Sequence, residues 1–298
     1  MKPVSGQEPA GLHIPVMLPE VLKYLNIQPT GSYLDGTVGA GGHATPILDQ
    51  LSSPGRLICF DRDAEALEIC KTKFSASARL VSFHHAPYDT FPEILSSEGI
   101  EYLNGIVLDL GLSSLQLNSS NRGFSFQSLG SLDMRFDPST GMTAAQWINS
   151  VSEKKLAEAI RDYGEDFRAK GIAHSIKKTA NINTVKALKD SIRRCTPPRH
   201  REKTLARVFQ ALRIVVNQEL EHLKNFLNLF IDFLAPAGRI VIISYHSLED
   251  RLVKQKFREL HLDGKIQLLT KKPLVPTPEE RSTNRRSRSA KLRAAEKR

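Results

Sequence analysis

The first hundred residues alternate short apolar runs with segments whose apolar positions recur at helical spacing, the signature of strand–helix–strand units around a parallel sheet. Residues 32–35, 56–61, 79–85 and 105–110 predict four strands, and residues 46–51 and 64–74 predict helices. Ahead of them, Val21, Leu22 and Leu25 share one face of a short amphipathic helix expected on the sheet edge. Past Leu117 the pattern changes. Residues 118–141 are rich in Ser, Gly, Asn and Asp, an irregular stretch long enough to suggest a functional loop. Residues 143–151, 153–163, 167–179 and 185–195 then read as helices without intervening strands, ended by Pro197 and Pro198. One long helix over residues 204–234 carries Val208, Leu212, Val215, Leu223, Phe226 and Phe230 on its stripe and returns the chain to the sheet. Residues 235–238 stop that helix, and 239–244 form a fifth strand whose β-branched run suits burial on both faces. Residues 265–270 and 290–295 are weaker strands that would close the sheet as an edge hairpin. The expected class is α/β with an inserted all-α domain: residues 1–117 and 204–298 make the sheet domain, and 118–203 the insertion.

Composition agrees with a globular chain: of 298 residues, 40% are apolar and 25% charged. The formal charge of +10 is unevenly placed, with 15 basic against 7 acidic residues between 153 and 207, and 8 against 1 from 281 to 298. A mildly acidic body bearing two basic segments is the electrostatic footprint of a polyanion binder, although basic termini are also often merely solvated. Arg285, Arg286 and Arg288 are the tail's candidates for phosphate contact. Cys59, Cys70 and Cys195 form no pair at ligand or disulfide spacing, and His84 and His85 have no metal partner in sequence, so no metal is expected and a reducing cytoplasm fits best. Met1 to Gly11 lacks an apolar leader and no window approaches the roughly 18 apolar residues of a membrane span, so neither export nor a membrane is expected.

Candidate chemistry gathers at strand ends. Asp35-Gly36-Thr37-Val38-Gly39-Ala40-Gly41-Gly42-His43 follows the first strand, where glycines let the backbone approach a nucleotide-like ligand. Asp61 ends the second strand, at the spacing from which a carboxylate reaches ribose hydroxyls. Asp35 would repel a pyrophosphate yet suits an amino-acid ammonium, which favours S-adenosylmethionine over a dinucleotide. Asp109, Ser113 and Ser114 should face the same opening from the fourth strand; Asp109 reads either as a reaction-site acceptor or as a capping or ribose-side group. The two prolines and aromatic that usually follow the acidic or amide residue here in amino-methylating enzymes are missing. After the fifth strand, Ser247 reads as a helix cap, leaving Tyr245 and His246 at the sheet's mouth, where one of them could stack on a base or sit in the core.

These blocks, with His13-Ile-Pro-Val-Met-Leu18, Phe60-Asp-Arg-Asp63, Leu108-Asp-Leu-Gly-Leu-Ser-Ser114, Arg122-Gly-Phe-Ser-Phe126, Leu132-Asp-Met-Arg135 and Ser244-Tyr-His-Ser-Leu-Glu-Asp-Arg251, resemble the bacterial small-subunit (16S) ribosomal RNA cytosine-N4 methyltransferases over nearly the whole chain. The resemblance implies a Rossmann-like methyltransferase fold on a mostly parallel seven-stranded sheet, and transfer of a methyl group from S-adenosyl-L-methionine to N4 of a decoding-centre cytosine. By matching position it puts cofactor contacts on Gly41, Gly42, His43, Asp61, Tyr88, Asp109 and Gln116; position 88 is commonly Phe in that family. It fixes no proton acceptor, and Asp109, Ser113 and His246 are the catalytic candidates on strand-end placement alone. The expected partner is ribosomal RNA within the small subunit, the protein acting as a monomer or homodimer. Taken locally, the motifs also allow an amino methyltransferase of DNA or another RNA, and the charge pattern a nonenzymatic assembly factor.

Overall fold

A computed structural model of the chain describes residues 14–298; the N-terminal stretch to Gly11, and His13 of the first motif, lie outside the described residues. Seven strands form one sheet: β1 (Ser32–Asp35), β2 (Arg56–Asp61), β3 (Val81–His85), β4 (Leu103–Asp109), β5 (Leu234–Ser244), β6 (Ile266–Leu268) and β7 (Lys291–Lys297). Their spatial order is β3-β2-β1-β4-β5-β7-β6, with the first five parallel and β7 antiparallel between β5 and β6. This is the Rossmann-like arrangement that the resemblance implies. The central strands read as unbroken apolar runs because helices cover both faces: Leu57–Phe60 on β2 and Ile240–Ile243 on β5 are buried.

The expected edge hairpin forms as the antiparallel pair of β6 and β7 at one end of the sheet, while three other sequence expectations need correction. The helix Leu18–Leu25 lies over the middle of the sheet, not its edge, and a Cβ on Gly105 of β4 would stand 2.8 Å from Leu25 Cδ1. Residues 235–238 belong to β5 as a bulge, the pairing stepping from Leu103–Leu234 to Gly105–Arg239.

The long helix is two, Arg201–Asn217 and Glu219–Phe233, broken at Gln218 with φ +53°. Each half serves a different core. Leu205, Val208, Phe209 and Leu212 pack with residues from Phe124 to Ile192 in an all-helical unit, whereas Leu223, Phe226, Leu227 and Phe230 pack on the sheet. Buried Asn217 fixes the break: its Oδ1 accepts from Phe136 N at 2.7 Å and its Nδ2 donates to Met134 O at 2.7 Å. Among the described residues, no helix is long and apolar enough to cross a membrane.

Candidate active site

The carboxyl ends of β1, β2 and β4, with the loop after β3, open on a single cleft, where parallel sheets place their ligands. The cleft holds about 910 Å³ of non-atom space, counting the part continuous with solvent. Gly36, Thr37, Val38, Gly39, Gly42 and His43 line one side of it. At Gly36 a Cβ would lie 2.3 Å from Leu108 Cδ2, so β1 and β4 can approach here only through glycine.

Asp61 anchors this loop as well as facing the cleft. Its Oδ2 accepts from Gly39 N at 2.8 Å and its Oδ1 from Asp63 N at 2.9 Å. Burial nevertheless pushes its carboxyl up to about 6, the backbone hydrogen bonds opposing. Asp35, 2% exposed, accepts from Thr37 N at 3.1 Å; burial raises it to about 7 against the pull of His43. Asp35 stands behind the lining residues, so an ammonium would meet it only through a shift of the loop.

Asp109 is held from three sides. Its backbone N donates to Thr37 Oγ1 at 2.7 Å, its Oδ1 accepts from Tyr245 Oη at 2.6 Å, and its Oδ2 lies 4.0 Å from His43 Nδ1. The imidazole of His43 is fixed by Nε2, 3.0 Å from Val16 O. Burial, and then the Asp109 charge, hold the Tyr245 hydroxyl well above its ordinary value, so it remains a neutral donor. Gly111 makes room for that phenol ring: a Cβ there would sit 2.6 Å from Tyr245 Cε2. One carboxylate oxygen of Asp109 is thus engaged by a donor, and the other retains acceptor capacity in the cleft.

The remaining candidates are placed unevenly. Tyr88, Gln116 and Ser113 line the cleft, but Ser113 and Gln116 also form a capping box, Ser113 Oγ accepting from Gln116 N at 3.2 Å and Gln116 Oε1 accepting from Ser113 N at 3.0 Å. Gln116 Nε2 donates to Asp63 Oδ2 at 3.2 Å. Ser114 begins that helix, and Gly41 lies beneath the lining residues. His246 is not a cleft residue. It caps the helix Ser247–Leu262, its Nδ1 accepting from Glu249 N at 3.4 Å, so the cap is His246 and not Ser247. Tyr245 acts through its hydroxyl on Asp109 and does not itself line the cleft.

Sequence reasoning missed Thr37, Arg62, Phe136, Glu219, Glu249 and Arg286, all of which line the cleft. Thr37, Arg62, Glu249 and Arg286 sat in motifs already singled out; Phe136 directly follows one, and Glu219 lies in none. Glu219, His246 and Glu249 bring ligand-type atoms within 4.8 Å of one another, where no metal was expected. The carboxylates are committed: Arg213 grips Glu219 at 2.8 and 2.9 Å, Glu249 Oε2 accepts from Tyr245 N at 2.8 Å, and Glu249 Oε1 lies 3.1 Å from His246 Nε2. An imidazole accepting at Nδ1 carries its proton on Nε2 and offers no lone pair there, so the trio reads as a structural network.

The basic C-terminal segment is not a loose tail. Arg293 pairs with Asp250 at 2.7 Å from within β7, and Arg286 donates to Leu112 O at the cleft rim. Arg285 and Arg288 remain exposed.

Similarity to known proteins agrees with this geometry. The family model of the MraW methylase family matches residues 10–298. Ribosomal RNA small subunit methyltransferase H of Caldicellulosiruptor saccharolyticus is 45% identical over 96% of this chain and 99% of the relative. The proteins of the same name from Acidobacterium capsulatum and Pelobacter propionicus are 41% and 44% identical, each over 96% of this chain and 98% of the relative.

Proposed function

The chain belongs to the MraW methylase family, and from that premise we infer an S-adenosylmethionine-dependent methyltransferase of small-subunit ribosomal RNA and propose, as its reaction, methylation of the N4 amine of a decoding-centre cytosine. The observation that carries the finer reading is Asp109, a carboxylate at the end of β4 with one oxygen pinned by Tyr245 and the other available in the cleft. The residues present fit the cofactor: a glycine turn for close backbone approach, and Asp61 at the ribose-binding strand end beside it. When bound, S-adenosylmethionine supplies a methyl group already activated on a sulfonium.

The protein's task is then to orient the acceptor. Cytosine's N4 lone pair is delocalised into the ring, so Asp109 accepts an N4 hydrogen and favours the pyramidal, nucleophilic amine. Tyr245 holds the acceptor in place, and the packing of Gly111 holds Tyr245. The target base must leave its stack to enter, which places the irregular 118–141 segment and the basic helices against the surrounding RNA. Such a substrate puts the enzyme in the cytoplasm.

Transfer of labelled methyl from S-adenosylmethionine to small-subunit RNA, followed by nucleoside analysis, is expected to yield N4-methylcytidine; a methyl group on any other atom would overturn the N4 assignment. Asp61→Ala is expected to weaken S-adenosylmethionine by about 1.5 to 3 kcal/mol, through loss of a charge-assisted contact and of the Gly39 anchor. Calorimetry showing unchanged affinity would remove Asp61 from the site.

The exposed pair Arg285 and Arg288 are assigned to phosphates, whereas Arg286 is reserved for the cleft rim. Replacing both exposed arginines by Ser should reduce the slope of log K for RNA against log salt by up to about 1.4. An unchanged slope would assign both to plain solvation.

A further inference from the structure

The segments Arg122–Phe126 and Leu132–Arg135 mark the sequence strongly, yet none of their residues lines the cleft. They are organised instead around the residue that follows. Arg122 crosses from the inserted unit to the sheet, its Nη1 donating to Asp63 Oδ2 at 2.8 Å while its Nη2 donates to the carbonyls of Arg135 and Phe136 at 3.0 and 2.8 Å. Met134, buried at 0% exposure, adopts φ +64°, a left-handed backbone that costs a non-glycine residue energy. The turn is held by Met134 N to Arg122 O at 2.9 Å and by the Asn217 bonds to Met134 O and Phe136 N. Asp133 forks onto Arg135 at 2.8 Å on the outer side. The residue that these contacts hold, Phe136, does line the cleft.

That ring stands at a definite end of the cleft. Arg62, the residue after Asp61, lies over it at 5.7 Å from the centroid, and Phe124 stacks against it at 5.7 Å. In doubly wound folds the acidic residue ending β2 takes the ribose, so the attached base extends past it, beside the loop that follows β3. Pro87 and Tyr88 are that loop, and they line the cleft together with Arg62 and Phe136. The strand end at β4, which lacks an aromatic of its own, gives no competing wall there.

We propose that Phe136 is a cofactor-binding residue: the wall, backed by Arg62, against which the purine of the adenosyl group packs, so that the RNA-facing insertion completes the cofactor pocket. This rests on the reading of the cleft as an S-adenosylmethionine site. It gives the two motifs a shared purpose, since Arg122, the strained Met134 turn and Asn217 together deliver one aromatic side chain across the junction between insertion and sheet.

Calorimetry without RNA tests it, using S-adenosylhomocysteine and 5′-methylthioadenosine, which share the adenosyl group but not the amino acid. Phe136→Ala is expected to weaken both by the same factor, about 5- to 100-fold as for aromatic contacts to a base, and Phe136→Tyr to stay within about threefold of wild type. Far-ultraviolet circular dichroism and the thermal midpoint check folding; should the Ala variant unfold, Phe136→Leu takes its place, with a smaller loss of the same pattern. Unchanged affinity for both ligands overturns the proposal, and unchanged affinity with a raised KM for RNA would place the ring against the target base instead. A loss confined to S-adenosylhomocysteine also overturns it, because the contact would then be to the amino-acid end. Wild-type protein that binds neither ligand would sink the reading of the site itself, a result distinct from a wild-type binder whose variants are unaffected.

Discussion

Asp109→Asn is expected to lower the single-turnover rate at saturating cofactor and RNA by about 10- to 1,000-fold, the range for one preorganised electrostatic contact worth roughly 1.4 to 4 kcal/mol. The direction follows from Tyr245. Its hydroxyl is held neutral by burial and donates to Asp109 Oδ1, so an amide at position 109 will keep its carbonyl on the phenol side. The NH2 group then takes the place of Oδ2 and meets the substrate amine donor to donor, which removes the acceptor and the charge together. Removing the phenol donor frees that orientation. The double variant Asp109→Asn/Tyr245→Phe should therefore recover part of the rate lost by Asp109→Asn, because the amide can turn its carbonyl to the amine. Cofactor affinity has to be measured in the same variants, since Asp109 also lies near His43 and the glycine turn. A wild-type rate for Asp109→Asn would end its role as acceptor, and a double variant slower than the single would remove the orienting role of Tyr245.

The sheet was legible where burial on both faces leaves one solution: β2, β4 and β5 announce themselves as apolar runs, and the first two end in residues that the fold carries to the cleft, Asp61 and Asp109. The helix break at Gln218 was not legible, because neither Asn217 nor Gln218 is a helix breaker by itself. What breaks the helix is a set of bonds from Asn217 to Met134 and Phe136, some eighty positions away in the chain. The same limit explains the site. Asp61 and Asp109 could be read from strand ends, but Phe136 and Glu219 enter the cleft only through the packing of the insertion on the sheet, and Arg286 through its bond to the Leu112 carbonyl 174 residues away. His246 shows the converse error: its strand-end position suggested chemistry, while its Nδ1 serves as a helix cap. Basic residues near the C-terminus looked alike in sequence, yet tertiary pairing separates Arg293, bound to Asp250, from exposed Arg285 and Arg288.

Affinity for S-adenosylmethionine should fall steeply as pH drops from 8 to 5. In the free protein burial raises Asp35 to about 7 and Asp61 to about 6, so both carboxyls take up protons within this range. Because these folded-state values lie above the ordinary carboxylate range, protonation stabilises the free fold below them, and that contribution is lost as pH rises through about 6 and 7. A ligand of net positive charge acts in the opposite sense. It favours both carboxylates, so binding at low pH must expel protons, and the work of doing so is subtracted from affinity. Emptying Asp61, which faces the cleft, costs about 10-fold in affinity between pH 8 and pH 5; emptying Asp35 as well, through the loop shift that brings the ammonium to it, takes the loss to about 1,000-fold. Calorimetry at pH 6 in two buffers of different ionisation enthalpy should register proton release, and at pH 8.5 almost none. Asp35→Asn should flatten the upper part of the profile, between pH 8 and 6.5, and leave the lower part to Asp61. A profile flat from pH 8 to 5, or proton uptake in place of release, would show that neither carboxyl changes state when the cofactor binds.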